Sequence, residues 1–376
     1  MPGLTTFPPF PDDVPTHPLL VVDYKLIQAG DEEEIEKLWE AATQLGFWYL
    51  KNHGVDAEAQ ALLEVGRKAL SLPLEEKLKY ELGDEGGSFG IKTAGVQAID
   101  ADGTRDKIEF LNVSQDDALA WPEVVHRAYP DIVNAHMHSA VRPFMEKSLA
   151  VNSTLLEVLN SKLGLPPGTI ASFHDPMDPS SSLSRCIRAP PCVPNEKLFI
   201  PAHTDYGSLV GPAEGLLPSG AELTRVCGQT FLHNRTGGLQ VLPPGANQWY
   251  YVKPIPGLAI CNVGDALNIF SGGILRSNIH RVVPPPGEQA ALERWSVGFF
   301  TRPSDNAMLR AISDKSALIA EAAAKGEPGR FETGANAKEW VMRRTGGLRY
   351  NNYKGAGGWN GWQGTEDTSL PEATKA

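Results

Sequence analysis

The chain has 376 residues, 41% hydrophobic and 21% charged, which is enough apolar material for a large core and excludes a disordered or collagen-like chain. Its 34 Lys and Arg against 45 Asp and Glu leave a net charge of −11, which argues against a role in coating nucleic acid or anionic membrane, because that affinity comes from neutralising phosphates. The four cysteines, Cys186, Cys192, Cys227 and Cys261, form no Cys-x-x-Cys pair, so reduced thiols in a cytoplasmic protein are expected rather than a zinc knuckle or redox site. The opening MPGLTTFPPFPDDVP lacks the basic start and apolar run of a signal peptide, and no stretch approaches the roughly 18 apolar residues of a membrane span.

Residues 1–17 are Pro-rich and predict an extended arm. Leu19–Tyr24 predicts a short strand, and Asp31 caps a predicted helix carrying Ile35, Leu38, Trp39, Ala42 and Leu45 on one face, ended by Gly46. FWYLK at 47–51 predicts a second strand, and a further helix runs from Asp56 to Leu70. The stretch 81–101 has no sustained period and predicts a surface loop, whereas 131–163 has helical spacing stopped by GLPPG. From about Ser182 to Pro303 short apolar runs alternate with Pro, Gly and Asn: LFIPAH, GGLQVL, QWYYVKP, LAICNVGDALNIF, NIHRVVPPP and RWSVGFF. That rhythm predicts a sandwich or barrel of strands. A helix follows at 313–325, and the Gly-, Asn- and Trp-rich tail beyond Gly346 predicts loop.

The sharpest motif is His203-Thr-Asp205, directly after the strand-like LFI. Residues two apart in a strand share a face, so both side chains can grip one ion. His280, in the separate segment NIHRVV, is the best third ligand. Two imidazoles and a carboxylate on one side of a metal leave three positions open, the facial arrangement of non-haem Fe(II) oxygenases. Taken alone, His-x-Asp is weak and more often describes a solvated strand edge. Arg294-Trp-Ser296, 14 residues after His280, adds a guanidinium and a hydroxyl on one strand face, a suitable receptor for a carboxylate.

The order His203-x-Asp205, His280, Arg294-x-Ser296, with NVGDALNIFSGGILRSNIHRVV between, resembles the iron(II)- and 2-oxoglutarate-dependent dioxygenases of the isopenicillin N synthase-like superfamily. VVDY, GFWYLKNHG and LSLPLEEKLKY are similar to that family's N-terminal region, so the likeness covers roughly residues 18–305. It implies a mainly β fold with flanking helices, in which a double-stranded β-helix (jelly-roll) core carries an N-terminal α/β region. It also implies Fe(II) on His203, Asp205 and His280, 2-oxoglutarate held by Arg294 and Ser296, and O2 as the oxidant. One departure is the lack of the family's Asn-x-Tyr before Pro-Pro; the matching stretch is Arg185-Cys-Ile-Arg188-Ala-Pro190-Pro191. Arg188 either replaces that Tyr as a second cation, for the cosubstrate or for an acidic substrate, or is a structural strand-edge residue.

The expected organisation is an arm (1–17), an N-terminal dioxygenase region (18–130), a helical connector (131–181), a jelly-roll core (182–305) and a C-terminal helix and tail (306–376). Within the core, removing 210–229 brings the spacing from Asp205 to His280 close to the family pattern. Val and Gln codons at its borders suit a short in-frame intron, so the segment reads either as retained intron or as a real loop at the barrel rim. The expected activity is oxidation of a small organic molecule in specialised metabolism, by hydroxylation or desaturation with release of succinate and CO2, in a monomer that binds neither nucleic acid nor membrane. The rival readings are an oxidase that uses the same iron without 2-oxoglutarate, and an inert binding protein whose site the insert disables. The G-x-S-x-G match at 86–90 lacks the strand and helix of a nucleophile elbow, and His53, Trp48 and Trp249 are expected to be structural.

Overall fold

The computed structural model describes residues 7–81, 89–100, 102–124, 126–192, 198–207, 230–346 and 349–352. The segment 210–229, most of the G-x-S-x-G match and the tail beyond Asn352 lie outside the described residues.

In chain order the strands are β1 (Val21–Asp23), β2 (Phe47–Lys51), β3 (Gly90–Lys92), β4 (Glu109–Ser114), β5 (Leu183–Ala189), β6 (Ile200–His203), β7 (Thr230–Asn234), β8 (Leu239–Val241), β9 (Tyr250–Tyr251), β10 (Ala259–Asn262), β11 (His280–Val282), β12 (Arg294–Phe300), β13 (Met308–Arg310) and β14 (Glu332–Asn336). Eight form one large sheet in the order β1-β2-β10-β7-β12-β5-β4-β3; four form a smaller sheet, β6-β11-β8-β9; β13 and β14 pair separately. The two main sheets make the jelly roll, and the N-terminal strands belong to the same large sheet as the core strands. Among the described strands only β1 and β2 pair in parallel, joined through the helix Glu32–Gln44, as a parallel connection requires a crossover.

The large sheet is buried on both faces, which explains its nearly continuous apolar runs. Alternation sorts the residues: Phe47 and Tyr49 of β2, Ile187 and Ala189 of β5 and Ile260 of β10 pack between the sheets with Leu239, Val241 and Val282. Trp48, Leu50, Cys186, Cys261, Trp295, Val297 and Phe299 face the other way, into a core shared with the helices Asp56–Leu70 and Arg142–Lys162. Gly46 follows the helix Glu32–Gln44 at φ +74°, and a Cβ there would collide with the Arg276 carbonyl oxygen, so the turn into β2 has room for glycine alone.

Several expectations change. Asp23 accepts a hydrogen bond from the Lys25 amide and starts a helix, Tyr24–Ala29, at the last residue of the expected strand Leu19–Tyr24. The expected loop 81–101 contains β3, with Ile91 buried against the core. LAICNVGDALNIF divides into β10 and a helix, Asp265–Phe270, because Gly264 breaks the strand. The strands β4, β13 and β14 and the helix Ala337–Gly346 had no clear sequence signal. The 131–163 stretch is helical but divided, with Asp131–Asn134 and a π-helical turn, Met137–Val141, ahead of Arg142–Lys162. Trp48 and Trp249 are buried as expected, and no described helix is long and apolar enough to cross a membrane.

Candidate iron and 2-oxoglutarate site

His203 ends β6 and His280 begins β11, and the two are register partners across the small sheet, with ring centroids 4.3 Å apart. Asp205 lies two residues past β6, outside the strand itself. Its Oδ1 is 3.9 Å from His203 Nε2, and its Oδ2 is 3.9 Å from His280 Nε2. Each imidazole places Nδ1 against a backbone carbonyl, His203 at 2.8 Å from Pro201 O and His280 at 3.2 Å from Asn278 O. An Nδ1–H donated there leaves Nε2 as the lone-pair nitrogen on both rings. Burial, and next the neighbouring His280, pushes the His203 imidazole down to about 3, so it is neutral and able to ligate. One nitrogen from each histidine and one Asp205 oxygen lie within 4.8 Å of one another, a donor set that fits iron(II).

Sequence reasoning missed the residues that hold these ligands. Asn262, at the end of β10, donates from Nδ2 to Asp205 Oδ2 at 2.8 Å. The Asp265 amide donates to the Asp205 carbonyl at 2.7 Å, anchoring the ligand loop on the helix Asp265–Phe270. Arg344, from the helix Ala337–Gly346, pairs with Asp265 and donates to Thr204 O at 2.9 Å. The short NVGD signal between β10 and that helix was the visible trace of this scaffold.

Arg294 and Ser296 both face the space between the sheets. Arg294 is 2% exposed; its Nε donates to Gly237 O at 2.9 Å and its Nη1 to Ser296 Oγ at 2.8 Å. Gly238, at φ +106°, keeps the backbone close: a Cβ there would lie 3.3 Å from Arg294 Nε. Among the described residues no carboxylate pairs with this guanidinium, and burial alone pushes it down to about 10. A buried cation with no counter-charge is costly, and a ligand carboxylate would compensate it.

The structure does not bring Arg188 to this place. Arg188 is the cross-strand partner of Trp295, on the opposite face of the large sheet, where its Nη2 meets Glu293 at 2.6 Å and its Nη1 meets Glu109 at 3.4 Å. Its alternative role as a structural cation is the one the geometry supports, since facing pairs in the register point the same way and Arg294 faces inward. The inward residue of that stretch is Arg185, which lines the cavity beside His203, Asp205 and His280 together with Lys92, Arg302 and Arg349.

Comparison with known proteins agrees with this architecture. Residues 19–133 match the family described as non-haem dioxygenase in morphine synthesis N-terminal, and residues 225–303 match the 2OG-Fe(II) oxygenase superfamily. The second match contains His280, Arg294 and Ser296 and begins beyond His203 and Asp205. The chain is 30% identical over 307 residues to the 2-oxoglutarate-dependent dioxygenase frbH of a Dothideomycetidae species, covering 79% of this chain and 86% of that protein. It is 28% identical over 359 residues to a 2-oxoglutarate-dependent dioxygenase of Aspergillus fumigatus, covering 90% of each. Among solved structures, a full-length Neurospora crassa protein in complex with alpha-KG superposes with a TM-score of 0.66 at 22% identity, over 86% of this chain and 95% of that one. The chain therefore belongs to the 2OG-Fe(II) oxygenases of the isopenicillin N synthase-like superfamily, and it is a non-haem iron dioxygenase with iron(II) and 2-oxoglutarate as its cofactor and cosubstrate.

Proposed function

We propose that His203, Asp205 and His280 bind the iron, that Arg294 and Ser296 hold the distal carboxylate of 2-oxoglutarate, and that the adjoining cavity takes a small organic substrate for hydroxylation or desaturation. When bound, iron and cosubstrate supply the oxidising power, as O2 is consumed and 2-oxoglutarate is converted to succinate and CO2. The chain's own part is positional. Two imidazoles and Asp205 would hold the metal, Asn262 keeps the Asp205 carboxylate aimed, and Arg294 would hold the cosubstrate's far end. Cavity walls of Phe110, Ile187, Phe199 and Ile260 exclude water around the substrate. The Neurospora crassa protein has been solved with alpha-KG and thymine, and JOX2 with 2OG, Fe and JA, so related folds hold small molecules beside the cosubstrate. Specialised metabolism is the setting we propose for the reaction.

The observation that carries this reading is the pairing of a converged His-Asp-His set with a buried, uncompensated Arg294 in the same inter-sheet space. Its test is anaerobic titration of the protein with Fe(II) and 2-oxoglutarate. The expected result is a visible charge-transfer band requiring both, and succinate release when air is admitted. A band absent at saturating iron would overturn the assignment. Oxidation of a substrate without 2-oxoglutarate would transfer Arg294 and Ser296 to the substrate.

A further inference from the structure

The cavity carries more positive charge than iron and 2-oxoglutarate use. Lys92 is paired with Asp106, and Arg349 lies 3.5 Å from Glu81. Arg185 and Arg302 make no carboxylate ion pair within 4 Å among the described residues; Asp205 attracts both from farther away, Asp305 attracts Arg302, and Arg185 also hydrogen-bonds the Tyr206 hydroxyl. Arg185 donates from Nε to Asn112 Oδ1 at 2.7 Å and lies over the rings of Phe110 and Phe300, at 4.5 and 4.9 Å. Arg302, 2% exposed, donates from Nη1 to Ser181 O at 2.6 Å and lies 4.7 Å above Tyr206. Neutral carbonyl and aromatic contacts stabilise a guanidinium only in part. Iron(II), the Asp205 carboxylate, the cosubstrate dianion and Arg294 cancel in charge, so these two guanidinium groups are left over for a further ligand.

They are also beyond the cosubstrate's reach. Arg294 pairs with Ala189 and Gly298 pairs with Arg185, so the two inward arginines are separated by four strand residues, roughly 14 Å at about 3.4 Å each. A five-carbon diacid anchored on Arg294 and turned toward the metal does not extend to Arg185. Arg302 continues the inward rhythm of Arg294, Ser296 and Phe300 two residues past the end of β12 and lines the same cavity. The cavity thus has Arg185 and Arg302 in its wall together with the iron ligands and apolar side chains, whereas Arg294 and Ser296 are not part of that wall.

We propose that the oxidised substrate is an organic acid whose carboxylate is held by Arg185 and Arg302, with an apolar body lying along Phe110, Ile187, Phe199 and Phe300 toward the iron ligands. This rests on the reading of the cavity as the oxygenase's substrate chamber. A guanidinium offers a planar fork matched to a carboxylate, and two such forks select strongly for an acid over its neutral amide.

The test uses full-length protein loaded anaerobically with Fe(II) and 2-oxoglutarate, with octanoate and cinnamate as probes, each beside its primary amide, followed by calorimetry. Each acid should bind at least tenfold more tightly than its amide. Arg185→Met and Arg302→Met should each lose most of that preference while keeping the charge-transfer band, and Arg185→Lys should keep part of it. Melting curves of the ligand-free variants guard against misfolding, and replacing an unmatched buried cation by Met should not lower the melting temperature. Equal binding of acid and amide, no saturable acid binding, unchanged acid binding in both Met variants, or loss of the band as acid is added would each overturn the proposal, the last by placing the acid in the cosubstrate's clamp. If the wild-type band never forms, the oxygenase assignment of the iron ligands fails instead, and the acid-to-amide ratio measured on metal-free protein still decides the role of the arginines.

Discussion

Among the described residues, two groups of two histidines and an aspartate bring their ligand atoms within 4.8 Å: His203, Asp205 and His280, and His53, Asp56 and His233. Ligand count does not separate them; their surroundings do. In the first, both Nδ1 atoms face backbone carbonyls, Asp205 is held by Asn262, and the group opens into a cavity lined with apolar and cationic side chains. In the second, His53 Nδ1 is turned to the Val55 amide at 3.2 Å, and His53 stacks edge-on against His233 at 5.3 Å. Its Asp56 is 61% exposed at the start of a helix, with its carboxylate 3.8 Å from His53 Nε2. A metal site depends on the partners that aim its ligands, and the second group has the character of a packed imidazole pair beside a solvated carboxylate.

The largest expected effect divides the two groups. Asp205→Ala or His280→Ala should abolish both the iron and 2-oxoglutarate absorption band and succinate formation with cooperative melting retained. His233→Leu should leave the band and a stoichiometry of one Fe(II) per chain untouched. Two irons per chain in wild type, falling to one in His233→Leu, would erase the distinction.

Next in size is the clamp. Arg294→Lys replaces a fork by a point charge and loses a charge-assisted hydrogen bond of roughly 1.5–3 kcal/mol, so the KM for 2-oxoglutarate should rise about ten- to a hundredfold. Ser296→Ala removes a neutral hydroxyl and should cost about 0.5–1.5 kcal/mol, seen on the same saturation curve. An unchanged curve for Arg294→Lys, with a raised KM for the oxidised substrate, would reassign the guanidinium.

The smallest of the three tests whether ligand support is what sets the first group apart. Asn262→Ala leaves all three ligands in place but frees the Asp205 carboxylate, and iron affinity should fall by about tenfold. Equal iron affinity in Asn262→Ala and wild type, measured by competition with a chelator of known strength, would show that the strand ends alone orient the site.

The chain's local pattern was enough to place the helices Glu32–Gln44 and Asp56–Leu70 and the strand at Phe47–Lys51, because each has its own cap, apolar period or breaker. The motifs His203-x-Asp205, His280 and Arg294-x-Ser296 were equally legible, since their chemistry lies in residue types at short spacing and in their resemblance to one family. Arg188 shows where that reading stops. Arg185 and Arg188 differ by an odd number of positions, so alternation puts them on opposite faces of β5, but nothing local says which face is the cavity. That was decided by pairing with β12, where Arg294 and Ser296 stand opposite Ala189 and Ile187, leaving Arg185 inside and Arg188 beside Trp295. Asn262, Arg344 and the unmatched charge of Arg185 and Arg302 were hidden for the same reason. A side chain's partner across a sheet or a cavity is set by register and packing between distant segments, and only the assembled fold carries that information.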